Sequence, residues 1–391
     1  MIQRQVSRLS RNQKKSKAVP IVTVLTILII AAAVVCFLFE PLVAQPRREA
    51  IAKANEAARA AVQERNIEAE ARYAAAIAEL ESQSSVPTNP SWPDHKSEGW
   101  DILELDSIPL ENQSAVSMSR AELMTGGMLL VNEWHSRPDD FDESGVVSVA
   151  RRFTGDDKIA AKDNNVTLFP VAIDALHEAL AAAKADGLEG YMVEEGYRTY
   201  ETQNTYFQNK VTKLSSKYSG DALIAAAKKE VNYPGTSEYN SGLAFELRQY
   251  RKGDPDFNSP KYSTTEQAKW MNENCWKYGI VFRFPQQAWP LETSTDKSFK
   301  TGVSMHLNLY RYVGKGNAAV MHYKDFVMEE YIEYLQEHPH IALFEDGVLK
   351  YEIYRQYVGD AYAVNVQLTR NARSWSSSLD NMGAVITVFE Y

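Results

Sequence analysis

Apolar and polar positions change rhythm several times along this chain. Residues Ala18 to Phe39 form an uncharged run of 22, long enough at about 1.5 Å per residue to cross a hydrocarbon layer of about 30 Å. From Arg47 to about Ser82 the chain is rich in Ala, Glu and Arg and lacks Gly and Pro, a composition that favours helix. Its apolar positions, Ile51, Ala58, Val62, Tyr73, Ile77 and Leu80, are interrupted around Glu64 to Asn66 and sustain no heptad. Residues 40–83 therefore predict a semi-rigid helical stalk, with self-association as the lesser option. The 36 residues from Arg47 to Ser82 would extend on the order of 54 Å if fully helical. Pro87, Pro90 and Pro93 with neighbouring serines mark 84–98 as a linker.

Beyond Gly99 the pattern becomes that of a folded domain. Pro170 opens a helix through Leu176 and Leu180 that Gly187 closes, and a strand to Glu194 follows. Thr264 to Tyr278 repeats the scheme, with Trp270, Met271, Asn274, Cys275 and Tyr278 along one side and Gly279 as the stop. A last helix is predicted over about Asn317 to Gln336. After Pro339 the chain alternates: Ala342 to Glu345, the turn Asp346-Gly347, and Val348 to Tyr354 predict a hairpin. Ala361 to Leu368 and Ala384 to Phe389 supply two further strands. The expected fold class is α+β, with a main domain over 99–338 and a small β appendage over 339–391. An appendage of that size is too small to hold a large core alone, so it is expected to pack on the main domain as a structural extension or a docking module.

Charge orients the apolar run. Arg4, Arg8, Arg11, Lys14, Lys15 and Lys17 precede it, and no acidic residue occurs through Phe39, so 1–17 is expected in the cytoplasm, 18–39 across the membrane and the bulk outside. A cleaved signal peptide ending near Leu42-Val43-Ala44 is the competing reading. The run exceeds the roughly 7 to 15 apolar residues of such a peptide, which favours an uncleaved anchor. The formal net charge is −9, and with six cations ahead of the run the remainder carries about −15. That surface argues against nucleic acid as a partner. Only Cys36 and Cys275 are present, one in the apolar run and one in the domain, which excludes an intramolecular disulfide and a cysteine metal site.

Two segments carry the candidate chemistry: PGTSEYNSGLAFEL from Pro234 to Leu247, and TGVSMHLNLYRYVG from Thr301 to Gly314. They resemble the two metal-site motifs of the VanY-type zinc D-alanyl-D-alanine carboxypeptidases, PGxSxHxxGxAxD and TGxxxExWHxRYVG. Three further stretches resemble that family in the same order: MLLVNEWHSRPDDF (Met128 to Phe141), VEEGYRTYETQ (Val193 to Gln203) and YGIVFRFP (Tyr278 to Pro285). The similarity spans about residues 125 to 335. It implies the family's fold, and its activity would be removal of the terminal D-alanine from peptidoglycan stems.

The same alignment puts altered residues in every chemical slot. Tyr239 stands at the first histidine ligand, Glu246 at the aspartate ligand, His306 at the catalytic glutamate and Leu309 at the last histidine ligand. A catalytic zinc needs three protein donors and an open position for water. Leu309 has no lone pair, and a phenol must ionise from a pKa of about 10 before it binds zinc well. The residues therefore predict no zinc unless the site is rearranged around Glu246 and His306. Arg198 matches the family arginine that holds substrate or the developing oxyanion, and Gln203 and Ser237 match pocket-lining positions. Glu195 replaces a small serine before GYR, where it would either repel a carboxylate ligand or pair with Arg198.

Other clusters carry less. No HExxH, phosphate loop or GxGxxG occurs. His338 and His340 flank a proline near a helix end and are expected to be exposed, and Asp139, Asp140 and Asp142 are expected in a solvated turn. Three readings follow: a pseudopeptidase that binds peptidoglycan stem peptides or a wall-synthesis protein, an active D,D-carboxypeptidase with a rebuilt metal site, and a cell-envelope scaffold whose stalk and appendage bind partners.

Overall fold

A computed structural model of the chain describes residues 92–391 together with the single helical positions Lys53 and Ala71. The apolar run 18–39, its basic flank and almost all of the stalk lie outside the described residues. No helix among the described residues is long and apolar enough to cross a membrane.

The strands in chain order are β1 (Trp100–Glu104), β2 (Gln113–Ser119), three two-residue strands β3 (Val147–Ser148), β4 (Ala160–Ala161) and β5 (Thr167–Leu168), then β6 (Tyr191–Glu195), β7 (Ala244–Gln249), β8 (Ile280–Phe282), β9 (Leu309–Tyr312), β10 (His340–Glu345), β11 (Val348–Tyr357), β12 (Ala363–Thr369), β13 (Ser374–Leu379) and β14 (Ala384–Glu390). The principal helices are α1 (Pro170–Ala185), α2 (Tyr200–Leu214), α3 (Gly220–Lys228), α4 (Glu266–Asn274), α5 (Lys315–Lys324) and α6 (Met328–Glu337). One five-stranded sheet runs β4-β6-β7-β9-β8 and contains both motif strands, β7 and β9, side by side. A second runs β1-β10-β11-β14-β13, and β2 pairs with β12 in a separate ribbon.

Local chemistry explains the elements that sequence anticipates. Pro170 sits in the first turn of α1, where its missing N–H costs nothing, and α1 turns its buried face, Ile173, Leu176 and Ala179, onto the motif sheet. Helix α4 starts at Thr265, whose hydroxyl accepts from the Ala268 N–H. Its continuation as a tighter turn stops at Gly279, which adopts φ +77° and whose missing side chain leaves room for the backbone of Gly314. The hairpin turn is made by Asp346 and Gly347, both at positive φ.

Three expectations are corrected. The helix over Asn317 to Gln336 is two helices, because Asp325 takes a left-handed conformation between α5 and α6. His340 is not exposed: it is fully buried, with Nδ1 at 2.6 Å from the Ile108 carbonyl and Nε2 at 2.8 Å from Glu352. The strands beyond residue 339 pack on the main domain as expected but do not form a unit of their own. They complete a sheet whose edge is β1, and Ile341, Leu343, Ile353 and Ile386 share one apolar cluster with Val320, Tyr331 and Leu335 of α5 and α6. A strand whose partner lies more than two hundred residues upstream leaves no local trace of the pairing.

Candidate functional site

The turn Pro234–Gly242 and strand β7 bring the first motif to the sheet. Gly242 closes the turn at φ +69°, where an added Cβ would come within 2.7 Å of the Phe169 ring, so only glycine fits. Asn240, fully buried, donates from Nδ2 to the Arg198 carbonyl at 2.7 Å and accepts from the Gly235 N–H at 3.2 Å. The Arg198 N–H donates to the Tyr239 carbonyl at 3.0 Å. The GYR segment and the first motif are thereby locked together. The second motif enters through β9, whose Leu309 stands directly opposite Glu246 of β7.

Beneath these turns lies a buried ionic network. Glu238 accepts from Arg283 Nε at 2.8 Å through one carboxylate oxygen and from Arg311 Nη1 through the other. Arg283 also forms a bidentate pair with Glu329, at 3.0 and 2.7 Å. Arg311 completes its donors on the carbonyls of Gly127, Leu129 and Tyr312. Glu238, one residue from Tyr239, thus joins both motifs and Arg283, the residue after β8. Nothing in the local pattern of the sequence marked it.

Tyr239, Glu246 and Leu309 do converge. The Tyr239 hydroxyl donates to Glu246 Oε1, and Leu309 packs with Tyr239, Ala244 and Phe284 in an apolar cluster. Burial, followed by the Glu246 charge, pushes the Tyr239 phenol well above its usual range. Burial also raises the Glu246 carboxyl above its ordinary 4.5, and Glu195, opposite it across β6 and β7, adds to the effect.

The fourth slot is elsewhere. His306 is exposed and stacks on Trp289 with ring centroids 4.6 Å apart. The cavity is lined by the alternate positions Val303, Met305 and Leu307, and His306 is not among its walls. Glu246 and His306 are therefore not brought together as a rebuilt pair.

Zinc, the metal the motifs imply, does not fit these donors. Tyr239 offers a phenol already hydrogen-bonded to Glu246, and Leu309 offers only carbon. Among the described residues no three His, Cys, Asp or Glu side chains are grouped as a metal site.

The cavity itself is retained, with a volume of about 420 Å³ and Arg198, Gln203, Ser237, Tyr239 and Glu246 on its walls. Arg198 lies over the Tyr239 ring at 3.7 Å and the Tyr206 ring at 4.8 Å. It pairs with Glu195 at 3.2 Å and donates to Gln203 Oε1 at 3.3 Å, while its buried Nε has no hydrogen-bond partner among the described residues. Gln203 is fixed in turn by the Asn232 carbonyl. Tyr206 went unnoticed in the sequence, although its position two turns into α2 faces the same way as Gln203.

A family model described as VanY D-alanyl-D-alanine carboxypeptidase matches residues 165–298. The chain is 32% identical over 206 residues to the putative carboxypeptidase YodJ of Bacillus subtilis, covering 53% of this chain and 67% of that protein. The chain belongs to the VanY family. It is also 26% identical over 279 residues to a D-alanyl-D-alanine carboxypeptidase of Enterococcus faecium, 71% of this chain and 80% of that one. The fold matches the crystal structure of the vancomycin-resistance D,D-dipeptidase VanXYg in complex with a D-Ala-D-Ala phosphinate analogue, with a TM-score of 0.52 at 21% identity over 71% of this chain and 99% of that one. The comparison agrees with the VanY-like mixture of helices and sheet built above.

The Tyr239–Glu246 contact has a measurable signature in this VanY-family chain. A carboxyl whose pKa is raised on folding contributes stability that is complete below its unfolded pKa and is lost as pH rises through the folded value. Glu246→Gln keeps an acceptor for the Tyr239 hydroxyl and removes the charge. Its melting temperature is expected to match the parent near pH 4 and to exceed it increasingly toward pH 8. Melts across that range check this, and a constant offset would contradict the buried-acid assignment.

Proposed function

We propose that this chain is a zinc-free VanY-family protein that binds peptidoglycan stem peptides, or a cell-wall partner presenting the same chemistry, outside the cytoplasm on a membrane anchor at 18–39. The observation that carries this reading is the Tyr239–Glu246 hydrogen bond, which closes two ligand slots on each other while the cavity beside it stays open. Hydrolysis needs an activated water, and the carboxyl best placed to activate one, Glu246, is engaged by the Tyr239 hydroxyl. Binding needs less. Arg198 lies on the cavity wall, and its rigid fork suits a peptide's terminal carboxylate. Val303, Met305 and Leu307 offer apolar surface for small side chains next to it. The anchor reading rests on the uncharged run and its basic flank.

The test is calorimetric titration of the full-length protein with a pentapeptide ending in D-Ala-D-Ala, followed by mass analysis of the recovered peptide. Saturable binding with the peptide intact is expected, and Arg198→Ala should weaken it about tenfold or more, as loss of a charged hydrogen bond does. No binding, or a peptide shortened by one alanine, would overturn the proposal.

A further inference from the structure

The cavity carries a second feature that the family motifs do not contain. Lys210 and Lys213 sit one turn apart on α2, and Lys228 and Lys229 close α3, and all four lie on its walls with Arg198. The opposing carboxylates on those walls are Glu133, Glu230 and Glu246. Glu230 pairs with Lys210 at 2.5 Å and Glu133 with Lys228 at 3.5 Å. Glu246 is spent on Tyr239. Lys213 and Lys229, both exposed, make no ion pair among the described residues.

An acidic protein with a net charge of −9 thus holds this cavity on a wall with more cations than carboxylates. Like charges gathered in a concave site repel one another, and the field they focus attracts an anion more strongly than the same charges would on a convex surface. A single carboxylate at Arg198 leaves Lys213 and Lys229 without an ion-pair partner among the described residues.

Resting on the stem-peptide reading above, we infer that the cavity selects peptides that carry, besides the terminal carboxylate, at least one further free carboxylate, received by Lys213 and Lys229. Arg198 holds the chain end, and the lysines read the acidic residue upstream of it. Selection of this kind acts through complementarity of charge and weakens with salt.

The experiment uses the full-length protein and two pentapeptides ending in D-Ala-D-Ala, one with its internal glutamyl carboxylate free and one with that group amidated. Titration at low salt is expected to show the acid binding about tenfold more tightly, with the gap narrowing as salt rises. Lys213→Glu combined with Lys229→Glu changes two exposed side chains, so folding is preserved. It should abolish the gap by weakening the acid much more than the amidated peptide, whose terminal carboxylate feels the same field less strongly than a directly received one. Equal binding of both peptides, with no effect of the double variant, would overturn this inference while the stem-peptide reading survived on the Arg198→Ala result. If neither peptide binds, both fall together.

Discussion

Restoring the donor set, Tyr239→His with Glu246→Asp and Leu309→His, is expected to give the protein zinc, close to one ion per chain, without useful turnover. The three side chains already meet: Tyr239 hydrogen-bonds Glu246, Glu246 faces Leu309 across β7 and β9, and Leu309 packs in the cluster that includes Tyr239. Two imidazoles and a carboxylate in that place satisfy a catalytic zinc and leave a position for water. Turnover should follow only when His306→Glu is added. Positions 303–308 belong to no helix or strand, so a carboxylate at 306 is free to leave the Trp289 stack and reach the water. A positioned general base contributes typically about 10²- to 10⁴-fold, and that is the expected gap between triple and quadruple variants in D-alanine release. Elemental analysis and the release assay read both steps. A quadruple variant that stays metal-free would mean the motif strands no longer hold the slots in register.

Glu238→Gln is expected to be the most damaging single neutral substitution near the site. Its carboxylate is 3% exposed and serves Arg283 and Arg311 at once, and both guanidiniums are fully buried. Burial pulls Arg311 down to about 9, so it still carries its charge at neutral pH and requires a counter-ion. Removing one member of a buried ionic network costs about 3 to 5 kcal/mol because the remaining charge is uncompensated. For a domain of this size that lowers the melting temperature by roughly 10 °C. Thermal unfolding checks it, and an unchanged melt would show that the network does not hold the motifs together. The same network gives the fold an acid limit. Burial alone would raise Glu329, but the Arg283 guanidinium and the Asn132 amide hold its carboxyl below the usual 4.5. Its contribution is therefore complete above that pH and is lost as pH falls through the depressed value.

Elements whose signals are local were legible in the sequence. Pro170, Gly187, Gly279 and the Asp346-Gly347 turn each act through their own backbone, and the motif strands β7 and β9 follow from segments that keep their spacing. The serine-rich strand β13 was invisible because SWSSSL lacks apolar alternation; it forms because β14 offers a partner. The same holds for the pairing of β1 with β10 and for the burial of His340, which rest on contacts across the whole domain. At the site, the poor donor chemistry of the phenol of Tyr239 and the alkyl side chain of Leu309 could be read residue by residue. That Tyr239 and Glu246 satisfy each other, that His306 faces away onto Trp289, and that four lysines share the cavity with Arg198 are facts of three dimensions. Lys210 and Lys213 at helical spacing were the only hint of the last.

The zinc-free reading proposed for this VanY-family fold rests on Tyr239 and Glu246 hydrogen-bonding each other beside an open cavity. Its most direct test is zinc content of the purified full-length protein, measured after incubation with excess zinc and removal of loose metal, with D-alanine release from a stem pentapeptide assayed on the same sample. No retained zinc and no released D-alanine are expected. About one zinc per chain with steady turnover would contradict that reading, because a phenol hydrogen-bonded to a carboxyl and an alkyl side chain make a poor zinc donor set.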